Sequence, residues 1–338
     1  MRADADPNSI VYFGGKYMPL HEARVGILTH ALHYGTGVFE GIRAHWDEVF
    51  KELFVLRALE HFERWKQNCG ILRINIPASP EDLCRITTEL LRRNEFRTNV
   101  YIRPIAFKSA ERVGVAIDDQ DEWAIIAMPF GDYLHGERGI HAGVSSWRRI
   151  EDNAIPARAK ICGTYVNSAL ASDEVRQSGF DEAIFLNENG HVAEGATCNL
   201  FMVRKGKLIT PPITDNVLEG ITRDAIIELA RRELGIPVVE RSIDRSELYI
   251  CDELFLTGTA VGIVPIARID HRPVKNAVIG PVVRQLLKIY FDATRGHLGS
   301  YRKWLLPVYK MEQDAARQDA ARSNEAKGAA ELHETSVA

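Results

Sequence analysis

Residues 194–223 read EGATCNLFMVRKGKLITPPITDNVLEGITR, and this stretch decides how the rest of the 338-residue chain is understood. Glu194 follows the turn pair Asn189-Gly190 and lies among small residues between two apolar runs, which places it at or beside a strand end. Asn199 to Val203 and Leu208 to Thr210 read as strands flanking a turn at 204–207. Gly220-Ile221-Thr222 then leads into a helix over 223–234, with apolar positions at Ala225, Ile226, Leu229 and Ala230. Thr222 is the expected N-cap and Gly235 the expected stop. A glycine just before a helix start leaves backbone N–H groups free at the positive end of the helix dipole, a combination that binds anions. Taken feature by feature, the same residues also describe an ordinary meander and packed helix with Glu194 on the surface.

The chain is long enough for a large core and two domains. Its 42 basic and 46 acidic residues leave a net charge of −4, which favours neither a nucleic-acid nor a membrane surface. No apolar run has the length of a membrane span, and the start MRADADPNS has no apolar signal core. Five cysteines, at 69, 84, 162, 198 and 251, are scattered without a CxxC pair. Structural disulfides and zinc are therefore not expected, and a cytoplasmic location is.

In chain order, 10–17 reads as a hairpin turning at Gly14-Gly15. Glycines 35, 37 and 41 lack the G-x-G-x-x-G spacing of a dinucleotide loop. A strand at 53–56 runs into a helix whose expected face is Leu59, Phe62, Trp65 and Cys69, stopped by Gly70. Ser79-Pro80-Glu81-Asp82 opens a second helix with an N-cap and early acids. Strands follow at 99–107 and 123–130, then a polar stretch over 131–139 that reads as an interdomain link. Beyond it come a strand at 140–147, a helix at about 164–177 and a strand at 182–186. After the opening stretch, strands at 237–240, 253–256 and 263–269 precede a helix over 280–293. The tail past Met311 is low in complexity and has no apolar face.

Among the lysines, Lys160 has a distinctive setting: Ala157-Arg158-Ala159-Lys160-Ile161-Cys162-Gly163, just before a helix. Small neighbours let a bulky ring approach, and partial burial is expected to lower the amine pKa towards nucleophilicity.

The stretch 194–223 resembles, position by position, the signature of class IV pyridoxal-phosphate aminotransferases: Glu, a small residue, Asn-Leu-Phe, Leu-x-Thr, then Leu-x-Gly-Ile-x-Arg. Residues 33–43 (HYGTGVFEGIR) and 101–104 (YIRP) resemble the corresponding motifs of branched-chain amino-acid aminotransferases. The resemblance implies a two-domain α/β (α+β) enzyme of fold type IV. A smaller N-terminal α/β domain would span 1–131, a linker 132–139, and a larger cofactor-binding domain 140–310 with a β-barrel-like sheet and helices. A charged tail would take 311–338.

The resemblance also implies the cofactor pyridoxal 5′-phosphate, held covalently by Lys160, with Tyr165 near its phenolic oxygen and Glu194 keeping its pyridine nitrogen protonated. Gly220, Ile221, Thr222, Thr197, Arg57 and Thr259 are the other expected cofactor contacts. For substrate, the resemblance places Phe39, Tyr165 and Tyr133 around an apolar slot for a Leu, Ile or Val side chain, with Gly41 a further substrate contact. Tyr34 and Arg103 would meet the distal carboxylate of glutamate or 2-oxoglutarate. Tyr101 with the N–H groups of Thr259 and Ala260 would meet the α-carboxylate. Val113 and Val115 belong to a loop that in the family reaches the partner subunit's pocket, so a homodimer or a multiple of one is expected. That loop reads Arg112-Val113-Gly114-Val115 instead of Gly-x-Gly-Val, and Ala196-Thr197-Cys198-Asn199 replaces the commoner Gly-Glu-Asn ending.

Rival readings are an aminotransferase for D-amino acids or (R)-amines, 4-amino-4-deoxychorismate lyase, and a cofactor-binding protein without turnover. The Phe39–Arg43 and Tyr101–Pro104 motifs argue against the first two, although the altered loop at 112–115 keeps (R)-amine side activity open, and the intact lysine, glutamate and phosphate site argue against the third.

Overall fold

The computed structural model describes residues 6–131 and 139–310. The expected linker up to residue 138 and the expected tail, and with them Tyr133, fall outside the described residues.

The first half supplies β1 (Ile10–Phe13), β2 (Lys16–Pro19), α1 (His30–Tyr34), β3 (Gly37–Phe39), β4 (Ile42–Asp47) and β5 (Glu52–Leu56). It continues through α2 (Ala58–Ile71), α3 (Pro80–Arg93), β6 (Val100–Lys108) and β7 (Asp121–Pro129). Their sheet runs β5-β4-β6-β7-β1-β2, with β3 also paired to β6. Trp65 and Phe62 of α2 and Leu83, Leu90 and Leu91 of α3 are fully buried in the core formed with this sheet. The buried face of α2 is Ala58, His61, Phe62, Trp65, Asn68 and Cys69. Leu59 is instead 39% exposed, and the helix runs through Gly70 to Ile71, because the 3.6-residue period carries the stripe through 58, 61/62, 65 and 68/69. Ser79 caps α3 in a reciprocal capping box with Asp82, as its position suggests.

The second half gives β8 (Ile140–Arg148), α4 (Tyr165–Gln177), β9 (Glu182–Leu186), β10 (Val192–Gly195), β11 (Asn199–Arg204) and β12 (Lys207–Thr210). After these come α5 (Ile221–Arg232), β13 (Val238–Glu240), β14 (Glu253–Gly258), β15 (Gly262–Ile269), β16 (Arg272–Pro273) and α6 (Pro281–Thr294). The sheet order β10-β9-β8-β15-β14-β11 closes on itself because β10 also pairs with β11, giving a barrel with β12 and β13 as an appendage. Strand alternation sorts its side chains. Leu200 and Met202 of β11 and Leu254 and Leu256 of β14 join one cluster inside the barrel. Phe201 and Phe255 point the other way, stack at 5.2 Å, and receive α5 and α6. A last strand, β17 (Leu305–Pro307), returns to the first sheet beside β5.

Two local expectations change at α5. The helix begins at Ile221, Gly220 is its N-cap, and no side chain caps it. Thr222 therefore lies inside the first turn, which leaves the first N–H groups without intrahelical partners. No helix among the described residues is long and apolar enough to cross a membrane.

Candidate active site

A cavity of about 440 Å³ collects residues from both sheets. Lys160, Tyr165, Glu194, Thr197, Gly220, Ile221, Thr222 and Thr259 line it, together with Phe39, Gly41, Tyr101, Arg103 and Ala260.

Glu194 is buried on β10, opposite Asn199 of β11. Arg149 Nη2 lies 2.9 Å from one carboxylate oxygen. The Asn199 amide donates to the other at 3.0 Å, and the Leu218 N–H also donates to it at 3.2 Å. Asn199 donates as well to the Leu218 carbonyl at 2.9 Å, which fixes the chain leading into α5. A Cβ at Gly220 would overlap Asn199 Oδ1, so no other residue fits at that N-cap without displacing the amide. Burial pushes the Glu194 carboxyl above its ordinary value, with Arg149 and the Leu218 N–H pulling against it.

Lys160 sits on a segment zipped to β3. Phe39 N–H donates to the Lys160 carbonyl at 3.0 Å, Val38 bridges Ile161, and Gly163 N–H donates to the Gly35 carbonyl at 3.1 Å. The Lys160 ammonium donates to the Tyr165 hydroxyl at 3.1 Å, 5.3 Å from the Phe39 ring centre. The expected fall in its pKa is not found. Burial does favour the neutral amine, but the negative potential of Tyr165 and Glu40 outweighs it, so the net direction is upward.

Arg103 packs its guanidinium over Phe39, 4.4 Å from the ring centre, and donates to the Tyr101 hydroxyl at 2.8 Å. Gly41 leaves room for that hydroxyl, which any side chain there would meet. Two buried polar atoms on the lining, Thr257 Oγ1 and Arg103 Nε, have no hydrogen-bond partner among the described residues. A helix start, a buried carboxylate, a lysine amine and an unpaired hydroxyl around one cavity suit a group bearing a phosphate, a basic ring nitrogen and a carbonyl. The residues therefore fit pyridoxal 5′-phosphate.

Among the described residues, four of the expected site residues do not line the cavity. Arg57 is engaged elsewhere: its guanidinium pairs with Glu60 at 2.9 Å and Asp224 at 2.7 Å, behind the start of α5. Arg64, two turns further along α2, lines the cavity in its place. It clamps Glu40 at 2.7 and 2.8 Å and donates to the Glu219 carbonyl at 2.5 Å. Tyr34, Val113 and Val115 lie on the surface, the two valines 79% and 76% exposed, with the Tyr34 hydroxyl accepting from Gly114 N–H at 2.9 Å. The left-handed turn at Gly35, whose Cα packs against Gly163, directs α1 away from this chain's own cavity.

Sequence reasoning passed over Arg64, Glu40, His61, Arg149 and Asn199 as functional side chains. Glu40 and Asn199 lay inside motifs already singled out. Arg64 and Arg149 carried no sequence signal, since an arginine on an amphipathic helix or in a polar loop reads as solvated surface. Glu40 is fully buried, and His61 Nδ1 stands 3.0 Å from it. Burial alone would raise its pKa, but Arg64 and the His61 hydrogen bond hold the carboxyl well below the usual carboxylate range.

The family model described as amino-transferase class IV matches residues 37–269. A probable branched-chain-amino-acid aminotransferase of Aquifex aeolicus (strain VF5) is 50% identical over 88% of this chain and 96% of its own length. The crystal structure of branched-chain amino acid aminotransferase from Thermobaculum terrenum in its PLP form superposes with a TM-score of 0.86 at 40% identity, covering 90% of this chain and 99% of that one. The crystal structure of branched-chain aminotransferase from the thermophilic archaeon Thermoproteus uzoniensis with norvaline gives a TM-score of 0.85 at 42% identity, covering 89% of this chain and 99% of that one.

Removing one partner of a buried ion pair costs about 3–5 kcal/mol, and a neutral amide recovers part of it. Glu40→Gln is expected to lower stability by about 2–3 kcal/mol at pH 7 in urea unfolding. Because the folded pKa lies below the unfolded value of 4.5, the carboxylate's contribution is complete above that value and is lost as pH falls. The gap between wild type and variant should therefore narrow below about pH 4.5. A gap that stays constant with pH would contradict the assignment.

Proposed function

The chain belongs to the class IV aminotransferase family, and from that premise we propose how it works. It transfers amino groups between branched-chain L-amino acids (Leu, Ile, Val) and 2-oxoglutarate, giving the 2-oxo acids and L-glutamate, with pyridoxal 5′-phosphate as cofactor. The observation that carries this reading is the single cavity that joins Lys160, the buried Glu194 and the N-terminus of α5.

When bound, the cofactor supplies an electrophilic carbonyl carbon and an electron-accepting ring. Lys160 would hold it through the amine and, once released, carry the proton lost from the substrate Cα. Tyr165 orients that amine through its hydroxyl. Glu194, locked by Arg149, Asn199 and the Leu218 N–H, would keep the ring nitrogen protonated, and its upward-shifted pKa suits a carboxyl that shares a proton with a base. The N–H groups of Ile221 and Thr222 would receive the phosphate, joined by Thr259 and Thr197. Arg64 supplies the cationic side chain beside that helix start, the role first expected of Arg57. Phe39, Gly41 and Tyr165 would shape the apolar slot, Tyr101 with the N–H groups of Thr259 and Ala260 would hold the α-carboxylate, and Arg103 the distal carboxylate of glutamate.

The enzyme would act as a homodimer or a dimer-based oligomer in the cytoplasm. Supporting the first is an exposed apolar face formed by Val25, Ile27, Leu28, Leu32, Val113 and Val115. On this arrangement Tyr34, Val113 and Val115 complete the second copy's cavity. Supporting the second are five free cysteines, three of them buried.

Borohydride reduction followed by peptide mass analysis is expected to find the cofactor on Lys160, and Lys160→Ala to abolish the adduct with the fold intact. An adduct surviving on another lysine would reject the assignment. Glu194→Gln should keep the cofactor but slow single-turnover deprotonation of leucine, an effect absent if the carboxylate only braces the barrel. Arg103→Met should separate the two half-reactions. Losing a charge-assisted contact costs on the order of 2–4 kcal/mol, or roughly thirty- to several-hundred-fold in kcat/KM, for glutamate and 2-oxoglutarate. Leucine should lose far less. Equal losses would make Arg103 a strut for Tyr101 instead of a carboxylate ligand.

A further inference from the structure

Adjoining the active-site cavity is a second, apolar chamber of about 320 Å³, open to the surface past the exposed Val25 and Leu32. Only Ile105 and Cys162 line both. The arrangement follows from strand alternation. Along one face of β6, Tyr101, Arg103 and Ile105 line the active-site cavity, while Ile105 and Phe107 line the chamber. Register places Phe39 opposite Ile105 and Gly37 opposite Phe107, so β3 crosses from one space to the other at the same point. The segment zipped to β3 then lays Cys162 across the boundary. A Cβ at Gly37 would come within 2.9 Å of Cys162 Sγ, so the glycine is what lets the thiol seat against the strand. Burial pushes the thiol pKa up, which keeps this part of the wall uncharged. Beyond the wall, Val11, Phe13, Phe107, Ala124 and Ile126 surround the chamber.

We propose that Cys162 and Ile105 form a partition that sets how long a substrate side chain the slot accepts, and that the chamber behind is a latent extension able to hold the end of a longer unbranched aliphatic side chain. The proposal rests on the aminotransferase reading above. Val25 and Leu32 lie on the chamber's lining and on the apolar face assigned to the second copy, so association would close the chamber from outside.

The test uses the cofactor-loaded enzyme, with Cys162→Ala and, separately, Ile105→Ala, assayed against valine, leucine, norleucine and 2-aminooctanoate. Each methylene added to or removed from an apolar pocket changes kcat/KM by roughly tenfold or more. The ratio of kcat/KM for 2-aminooctanoate over valine is expected to rise about tenfold in at least one variant, mostly through KM. Octanoate should also bind more tightly to that variant, read from the perturbation of cofactor absorbance. A ratio unchanged in both variants, or long and short substrates weakened alike, would overturn the partition. If wild-type enzyme fails to turn over leucine at all, it is the aminotransferase reading that falls, and the octanoate titration still decides whether the chamber has opened. Should either substitution impair folding, the thermal unfolding midpoint will reveal it, and the other variant carries the decision.

Discussion

A carboxylate taken out of water must be fully hydrogen-bonded, and Glu194 is the point on which this site depends. Its oxygens are met by Arg149, by the Asn199 amide and by the Leu218 N–H. These donors come from the loop after β8, from β11 and from the approach to α5. Satisfying one buried charge thus fixes the barrel rim and the start of α5 together. Breaking such a set leaves an uncompensated charge, so the geometry is held more tightly than apolar packing alone would hold it.

A second buried carboxylate does the corresponding work in the first sheet. Glu40 lies beside Phe39 and Gly41, and its clamp on Arg64 delivers that guanidinium to the Glu219 carbonyl, next to Gly220. The two acids are driven in opposite directions: Glu40 is held firmly ionised, and Glu194 is pushed towards taking up a proton. Divergent environments of this kind commonly separate a structural acid from one engaged in proton chemistry. Here the ionised Glu40 fixes the Arg64 guanidinium near the helix start, and Glu194 is the acid whose burial favours taking up a proton.

Much of this was legible in the sequence because the decisive positions are constrained by backbone. Gly220 is required where the Asn199 amide passes, Gly41 where the Tyr101 hydroxyl stands, and Gly35 where the turn meets Gly163. Such requirements leave fixed spacings, and fixed spacings can be read. Arg64 and Arg57 are both arginines on or beside one amphipathic helix, and only the direction of the helix axis decides which reaches the cavity. Barrel closure through the β10–β11 pairing was likewise expressed only as a resemblance, since no local pattern encodes a ring of six strands. The Lys160 pKa departs from expectation for a related reason. Burial can be inferred from small neighbours, but the opposing potential comes from Tyr165, at the start of the following helix, and from Glu40, which is distant in sequence and adjacent only once β3 is paired.

That pairing also explains how a site shared by two separately built sheets keeps its precision. If Lys160 were carried by the barrel alone, any rocking of the first sheet would move Phe39, Tyr101 and Arg103 relative to the amine. Backbone hydrogen bonds at Phe39–Lys160 and Gly163–Gly35, with one antiparallel bridge between Val38 and Ile161, instead tie the lysine segment to β3. Phe39 and Lys160 are thereby held to each other, and the cavity wall and the lysine amine share a single frame. The barrel's own contribution, Glu194 and the start of α5, is linked to that frame through Arg64 and Glu219. Motion between the sheets would have to break charge-assisted hydrogen bonds before it could separate acid from amine.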